Sequence, residues 1–156
     1  MLLRPARAEE AGELTELALR SKAHWGYDAD FIAACRAELT IVPGDVEARR
    51  VTVAEVGGRV VGFYTLDGAP PVVELGQMFV EPTHIGGGIG RALWRHAVAT
   101  AARLGSAGLT IEADPHAEAF YLAMGATRTG TVPSGSVAGR ELPRLTFAVA
   151  GSEARG

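Results

Sequence analysis

The chain lacks the features that mark several large classes of protein. Its single cysteine, Cys35, excludes an internal disulfide and is expected to be a small core residue on a helix. The four histidines are scattered and show no paired spacing of the kind that zinc sites use, so a metal site has no support. No apolar run approaches the roughly 20 residues of a membrane-spanning helix, and no G-x-S-x-G nucleophile elbow is present.

An excess of charge of one sign is missing too. The 15 basic and 18 acidic residues are interspersed and give a formal net charge of −3. No basic field is available to hold nucleic acid or an anionic membrane, and the first ten residues do not form a signal peptide. These features predict a cytoplasmic enzyme or binding protein. We expect one domain over residues 1–150 and a frayed tail at 151–156.

Hydrophobic periodicity and turn residues predict a mixed α/β domain with the order β-α-α-β-β-β-α-β-α-β-β. Strands are predicted at residues 2–4, 51–56, 59–66, 72–80, 109–113, 126–132 and 142–149. Helices are predicted at residues 8–22, 28–39, 89–104 and 115–124, with Asp28 as the cap of the second. The third helix should bury Ile89, Leu93, Ala97, Ala101 and Leu104 along one stripe.

A glycine cluster joins the fourth predicted strand to the third helix. The glycines are Gly86, Gly87, Gly88 and Gly90, and the helix begins at about Ile89. The first N–H groups of a helix have no partner within it, and the positive end of the dipole lies there, so this segment predicts an anion site, most plausibly for phosphate. Arg91 adds a cation. The alternative is a flexible glycine turn that only caps a helix.

The segment is neither a Walker A loop nor a dinucleotide fingerprint, because it lacks Lys-Ser/Thr after the glycines and has no G-x-G-x-x-G register. V-x-P followed by x-x-x-G-x-G resembles the acyl-CoA pyrophosphate loop of the GNAT superfamily (GCN5-related N-acetyltransferases). Ile85 stands where that family usually has Arg or Gln. The predicted order of elements matches the GNAT fold along nearly the whole chain. The resemblance implies a splayed central sheet, acetyl-CoA as co-substrate and no metal, with residues 85–91 around the diphosphate.

Gly76 interrupts the strand at residues 72–80 and predicts a bulge, the alternative being a packing glycine. In the family, a bulge here separates this strand from the next and admits the pantetheine arm. The resemblance therefore implies that the backbone of Met78, Phe79 and Val80 binds that arm. Strand alternation predicts that Glu74, Gly76 and Met78 face one side of the sheet.

The segment 114–125 resembles the family pattern Asn-x-x-Ala-x-x-x-Tyr followed by a glycine. It has Asp114, Ala117, Tyr121 and Gly125 at those spacings. The resemblance implies that Tyr121 contacts the cofactor and donates a proton to the departing sulfur, a role that suits a phenol protonated at neutral pH. The alternative is a helix tyrosine with a satisfied hydroxyl. Asp114, in place of Asn, should lie near the pantetheine amides.

Acyl transfer to an amine needs a group that accepts the amine proton. Glu74 stands eleven positions before Ile85, where the histone acetyltransferase branch of the family places its catalytic glutamate. We expect Glu74 to be this base, directly or through a water, with substrate ammonium binding or a structural role as alternatives. His84 is a second candidate because its ordinary pKa suits the task.

The connection between the first two helices carries His24, Trp25 and Tyr27, and aromatic rings can hold an apolar body or a cation. In the family this connection lines the acceptor pocket together with the loop here at 133–140, so these three residues and His84 are candidate substrate contacts. The alternative for Trp25 is a plug between helices. Arg140, Glu141 and Arg144 could select a substrate charge or lie in water.

The function implied is transfer of an acetyl group from acetyl-CoA to a primary amine, favouring a small molecule, within a ternary complex. A non-catalytic acyl-CoA sensor and a protein or peptide acetyltransferase are the alternatives. Edge strands in the last hairpin are also compatible with a homodimer.

Overall fold

A seven-stranded mixed sheet with helices on both faces forms the structure, a computed structural model that describes residues 1–149. The strands are β1 (Leu2–Pro5), β2 (Thr52–Val56), β3 (Arg59–Asp67), β4 (Val72–Val80), β5 (Gly108–Glu112), β6 (Thr127–Pro133) and β7 (Glu141–Ala148). The helices are α1 (Ala11–Ala23), α2 (Ala29–Leu39), α3 (Pro43–Ala48), α4 (Ile89–Arg103) and α5 (Glu118–Ala123). The predicted frayed tail at 151–156 lies outside the described residues. Within the described part, no helix has the length and apolarity to cross a membrane.

The strands lie in the order β1-β2-β3-β4-β5-β7-β6, with β4 and β5 parallel and every other neighbouring pair antiparallel. The α/β class and the predicted order of strands along the chain are confirmed. One helix, α3, is missing from the prediction because it has six residues and buries only Val46. Pro43 opens α3 at a position where proline loses no hydrogen bond, and the Asp45 carboxylate caps it by accepting from the Val42 amide at 2.9 Å.

Each face of the sheet carries its own apolar core. On the α4 face, α4 and α5 pack against β3, β4 and β5; on the α1 face, α1, α2 and α3 pack against β2 and β3. Cys35 is buried in the second core, as predicted for a small helix residue. The predicted α4 stripe is right except at Leu104, which caps the helix and is 36% exposed, while Trp94 is buried instead.

A β-bulge at Gly76 divides β4 into two parts. Thr65 and Leu66 are adjacent on β3, yet they pair with Gln77 and Leu75, so Gly76 is the extra residue. A Cβ at Gly76 would collide with the carboxylate of Asp67, which the Arg49 guanidinium holds at 2.8 Å. The bulge is therefore packed by an ion pair that occupies the space a side chain would need.

The sheet opens next to this bulge. β4 pairs with β5 only from Val72 to Glu74, whereas β5 continues its ladder with β7 as far as Glu112. Among the described residues, the β5 side of β4 therefore has no strand partner beyond Glu74. The sheet is therefore splayed at this point, as the resemblance to the GNAT fold implied.

The bulge also changes which side chains share a face. Leu75 and Met78 both belong to the core on the α4 face. Thr65 lies between Tyr64 and Leu66, which are both in that core, so the Thr65 side chain points to the α1 face. Gln77 pairs with Thr65 and therefore shares the α1 face. The prediction that Glu74, Gly76 and Met78 face one side is therefore wrong for Met78. An inserted residue shifts the alternation by one position, which period-two counting cannot detect.

Candidate active site

One cavity of about 600 Å³ passes through the opening between β4 and β5. Its walls come from both faces of the sheet: Phe120 and Tyr121 lie on the α4 face, and Ser21 and Leu39 lie on the α1 face. Backbone and side chains of residues 75–80 form the wall between them. The splayed sheet thus makes a passage in which groups bound on opposite faces can meet.

The glycine end of this cavity is lined by Gly86, Gly88, Gly90 and Arg91, together with the exposed Ile85. Gly86 and Gly88 have φ values of 87° and 88°, a left-handed conformation that glycine adopts without strain. Gly88 is the N-cap of α4. Its left-handed backbone sets the direction in which the helix leaves the loop.

The first amides of α4 are available to a ligand. Within residues 1–149, the N–H groups of Ile89, Gly90 and Arg91 donate to no acceptor, while the Ala92 amide is the first to bond, to Gly88 at 3.1 Å. The Ile89 side chain itself is buried in the core, and Gly87 donates to the His84 carbonyl. Three free amides, the helix dipole and the Arg91 side chain, which has no partner in this part of the chain, can together hold an anion.

Tyr121 lies where the cavity crosses the sheet. Its side chain is 5% exposed, packs against the rings of Trp94 and Phe120, and lines the cavity. Within the described residues its hydroxyl has no hydrogen-bond partner, so the alternative of a satisfied helix tyrosine has no support here. Burial raises the pKa of the phenol above its ordinary value and keeps it protonated. Met78, Phe79 and Val80 line the same part of the cavity.

The opposite end is held by a polar cluster that we call the Asp114 clamp: Lys22, Tyr27, Asp114 and Arg140. The Asp114 carboxylate accepts from Lys22 Nζ at 2.9 Å, from the Tyr27 hydroxyl at 3.1 Å and from Arg140 at 3.3 Å. Arg140 also donates to the Tyr27 oxygen at 2.6 Å. One carboxylate therefore joins the end of α1, the α1–α2 connection, the end of β5 and the β6–β7 loop.

The clamp is strongly coupled. Burial alone would raise the pKa of Asp114, but the hydrogen bonds from Lys22 and from the His116 amide outweigh it and hold the pKa below its ordinary value. Burial and the adjacent Asp114 charge raise the pKa of Tyr27 to about 12. Asp114 thus stays ionised and Tyr27 stays protonated over the physiological range.

The predicted acceptor aromatics separate into two groups. Trp25 lines the cavity and stacks on His116 with a centroid distance of 5.2 Å, so it is not a plug between helices. His24 is exposed and meets Trp25 edge-on, outside the lining. Tyr27 stacks on Phe31 at 4.0 Å and acts through the clamp rather than as a wall of the cavity.

The β6–β7 loop covers the clamp end. Ser136 donates to the Glu38 carboxylate on α2, and Arg140 on the same loop enters the clamp. The loop is closed on itself by the Ser134 amide, which donates to the Arg140 carbonyl at 2.7 Å. The loop and the first two helices are therefore bridged at two separate points.

The two candidate bases lie in different places. His84 lines the cavity near the glycine end, and its ring lies 3.1 Å from the Thr83 hydroxyl. Glu74 lies at the last β4–β5 pair, on the α1 face, but is not among the lining residues. Burial and then the neighbouring Glu112 and Asp67 charges raise the pKa of Glu74. Glu112 does line the cavity, whereas Glu74 does not.

Several lining residues carry no motif and escaped the sequence prediction: Ser21, Lys22, Cys35, Glu38, Gln77 and Glu112. They come from α1, α2, β4 and β5, which meet only in the folded chain. The one signal in the sequence is Gln77, an amide within the otherwise apolar run after Glu74.

Comparisons with known proteins agree with this geometry. The family model described as acetyltransferase (GNAT) domain matches residues 47–125, just over half of the 156-residue chain. Curated protein sequences include no significant match.

Solved structures share the fold at low identity. A GCN5-related N-acetyltransferase from Rhodopseudomonas palustris is 21% identical, with a TM-score of 0.78 over 94% of each chain. The PaiA N-acetyltransferase from Thermoplasma acidophilum, solved with coenzyme A, is 17% identical, with a TM-score of 0.79 over 94% of this chain and 98% of that one. An acetyltransferase from Salmonella typhimurium, described as putative and solved with acetyl-CoA, is 23% identical, with a TM-score of 0.68 over 96% and 94%.

Proposed function

Since this chain belongs to the GNAT acetyltransferase family, we propose that it transfers an acetyl group from acetyl-CoA to the primary amine of a small molecule. The observation that carries the proposal is a continuous cavity that joins the glycine end to the Asp114 clamp through the opened sheet. Such a passage lets two substrates enter from opposite faces and react directly, without an enzyme-bound acetyl group.

The glycine end suits the diphosphate of acetyl-CoA. The amides of Ile89, Gly90 and Arg91 are free to donate, Gly86 and Gly88 leave room for close approach, and Arg91 supplies a positive charge. The unpaired edge of β4 at Met78–Val80 offers backbone groups to an extended pantetheine arm, as an added strand would use them. The coenzyme A and acetyl-CoA complexes of the related structures support this assignment.

The chemistry needs a proton donor and a proton acceptor on opposite sides of the thioester. Tyr121, on the α4 face, donates its proton to the sulfur as the carbon–sulfur bond breaks and the carbon–nitrogen bond forms. Glu74, on the α1 face, accepts the amine proton through a water, because it is not among the residues that line the cavity. The backbone amides near Phe79 and Val80 hold the negative charge on the carbonyl oxygen.

The acceptor is a small molecule because the clamp end is bridged. The Ser136–Glu38 hydrogen bond and the Asp114 clamp tie the β6–β7 loop to α1 and α2, and these bridges would stand in the path of an extended polypeptide. The apolar walls of Trp25, Leu39 and Leu142 suit a compact organic body.

The test combines calorimetry with an activity screen. Acetyl-CoA and CoA are titrated into the protein, and thiol release is then measured with aliphatic, aromatic and polyamine acceptors, amino sugars and short peptides with free N-termini. Acetylation of a non-peptide amine supports the proposal. Acetylation of peptides alone would instead identify a peptide acetyltransferase, and acetyl-CoA binding with no acceptor would identify a sensor.

A further inference from the structure

Two buried polar side chains of the cavity have no hydrogen-bond partner among the described residues. Ser21 on α1 is 5% exposed, and Gln77 on β4 is 7% exposed. Within residues 1–149, neither the Ser21 hydroxyl nor the Gln77 side-chain amide makes a hydrogen bond, and the Gln77 carbonyl oxygen is fully enclosed. Both residues line the cavity. Buried polar groups without partners are rare in folded proteins, so each needs an explanation.

Both side chains lie on the α1 face of the opened sheet. Gln77 directly follows the bulge and pairs with Thr65, while Ser21 is in the last turns of α1, the helix that packs along β4. Tyr121 lines the same cavity from the α4 face. The two unpartnered groups therefore face the proposed proton donor across the opening, on the side from which the acceptor enters.

We propose that Ser21 and Gln77 together form the binding site for the attacking nitrogen of the acceptor, here called the amine niche. A hydroxyl can both donate and accept, and an amide can present either its NH₂ or, after rotation of the terminal group, its carbonyl oxygen. A primary amine can donate its two N–H groups to the oxygens of Ser21 and Gln77, which leaves its lone pair free for attack. The inference rests on the acetyl transfer proposed above and names the part of the site that orients the nucleophile.

The neutrality of the niche has a chemical consequence. A carboxylate at this position would hold the acceptor as an ammonium ion, which has no lone pair for attack. Two neutral, buried dipoles favour the uncharged amine, because burial disfavours the charged form. The carboxylates of Glu38 and Glu112 line the same cavity, where they can attract the cation before it loses its proton.

The test uses the full chain and three variants. Gln77→Met and Ser21→Ala remove the polar groups with little change in volume. Thr15→Val is the matched control, because Thr15 is also a buried hydroxyl of α1, but it accepts from the Ile41 amide at 2.9 Å and lies outside the cavity. Melting temperature, KM for acetyl-CoA, and KM and kcat for the best amine of the screen are measured for each.

The amine niche predicts that the niche variants and the control differ in how their melting temperatures change. In Gln77→Met and Ser21→Ala, the KM for the amine should rise about tenfold, as expected for one lost hydrogen bond. Their KM for acetyl-CoA should not change, and their melting temperatures should equal or exceed that of the wild type. Thr15→Val should melt lower and keep its KM for the amine.

Any of the following results would overturn the assignment. Lower melting temperatures in both niche variants, with unchanged KM for the amine, would show a structural role. A rise in the KM for acetyl-CoA alone would indicate that the Ser21 and Gln77 side chains bind the cofactor and not the amine. If the wild type binds acetyl-CoA but acetylates no amine, both the proposed function and the amine niche are wrong. If the wild type is active and neither niche variant changes the KM for the amine, only the amine niche is wrong.

Discussion

The two ends of the cavity are built on different principles. The glycine end, from Ile85 to Arg91, is one continuous stretch in which backbone amides carry the binding groups. The Asp114 clamp is an assembly of side chains from four separate parts of the chain. The first kind of site depends on backbone conformation, which few residue types can adopt. The second depends on distances that only tertiary packing sets.

Gly88→Val should break the glycine end and leave the clamp intact. A left-handed conformation costs a non-glycine residue about 1–2 kcal/mol, so the loop would relax and withdraw the α4 amides. We expect acetyl-CoA affinity to fall about 100-fold or more, as two charge-assisted hydrogen bonds are lost. Calorimetry measures this.

Gly105→Val is the matched control, since Gly105 has a φ of 82° at the other end of α4. It carries the same conformational strain but lies outside the cavity, so it should destabilise the protein without weakening acetyl-CoA binding. Equal affinities in the two variants would contradict the assignment of the glycine end.

Tyr121→Phe alters the side chain that lies between the two ends of the cavity. The ring packing against Trp94 remains, and the hydroxyl has no partner to lose, so stability should not fall. We expect kcat to drop about 100-fold, at the low end for removal of a general acid, with both KM values unchanged. Steady-state kinetics that show full activity would remove Tyr121 as the acid.

Asp114→Asn should break the clamp and spare the glycine end. Lys22 and Arg140 would lose their shared counter-charge, which we expect to cost about 2 kcal/mol and to raise the KM for the amine about tenfold. The lowered pKa of Asp114 means that the wild-type contribution is present above its ordinary value of 3.8 and is lost as the pH falls further, so the difference between the two proteins should vanish in strong acid.

Glu10→Gln separates stability from binding in this experiment. Glu10 is a buried acid whose pKa is lowered to about 2, first by its hydrogen bond with Arg4, and it lies outside the cavity. Chemical denaturation should show a loss of stability in both variants. If Glu10→Gln also raises the KM for the amine, the rise in KM in Asp114→Asn comes from lower overall stability and not from loss of the clamp.

Glu74→Gln has the smallest expected effect, because this residue acts through a water. As a base, Glu74 must be ionised, so the wild-type rate should fall as the pH drops through its raised pKa. In the glutamine variant, kcat should decrease about tenfold. Its pH–rate profile should also lack the fall in rate at acidic pH. An unchanged pH–rate profile would favour His84 or solvent as the proton acceptor.

The same contrast explains what the sequence could reveal. The glycine loop before α4, the bulge at Gly76 and the order of strands along the chain follow from local conformational rules, and the structure has each of them. The clamp partners Lys22 and Arg140 are separated by more than a hundred positions, and Ser21 and Gln77 belong to no motif. The sequence predicts Asp114 beside the cofactor but does not predict its three side-chain partners. These partners reach Asp114 only because the folded chain brings α1, β5 and the β6–β7 loop together.

The bulge makes β4 sensitive to its length as well as to its composition. Deleting Gly76 would leave Gln77 opposite Thr65 and Leu75 opposite Leu66, so the ladder with β3 would become regular and each side chain would keep its face. The local bend beside the opening would be lost, and β4 would be free to extend its pairing with β5 beyond Glu74. Loss of one residue without a side chain would thus narrow the passage between the two faces more than replacing any single side chain of the strand.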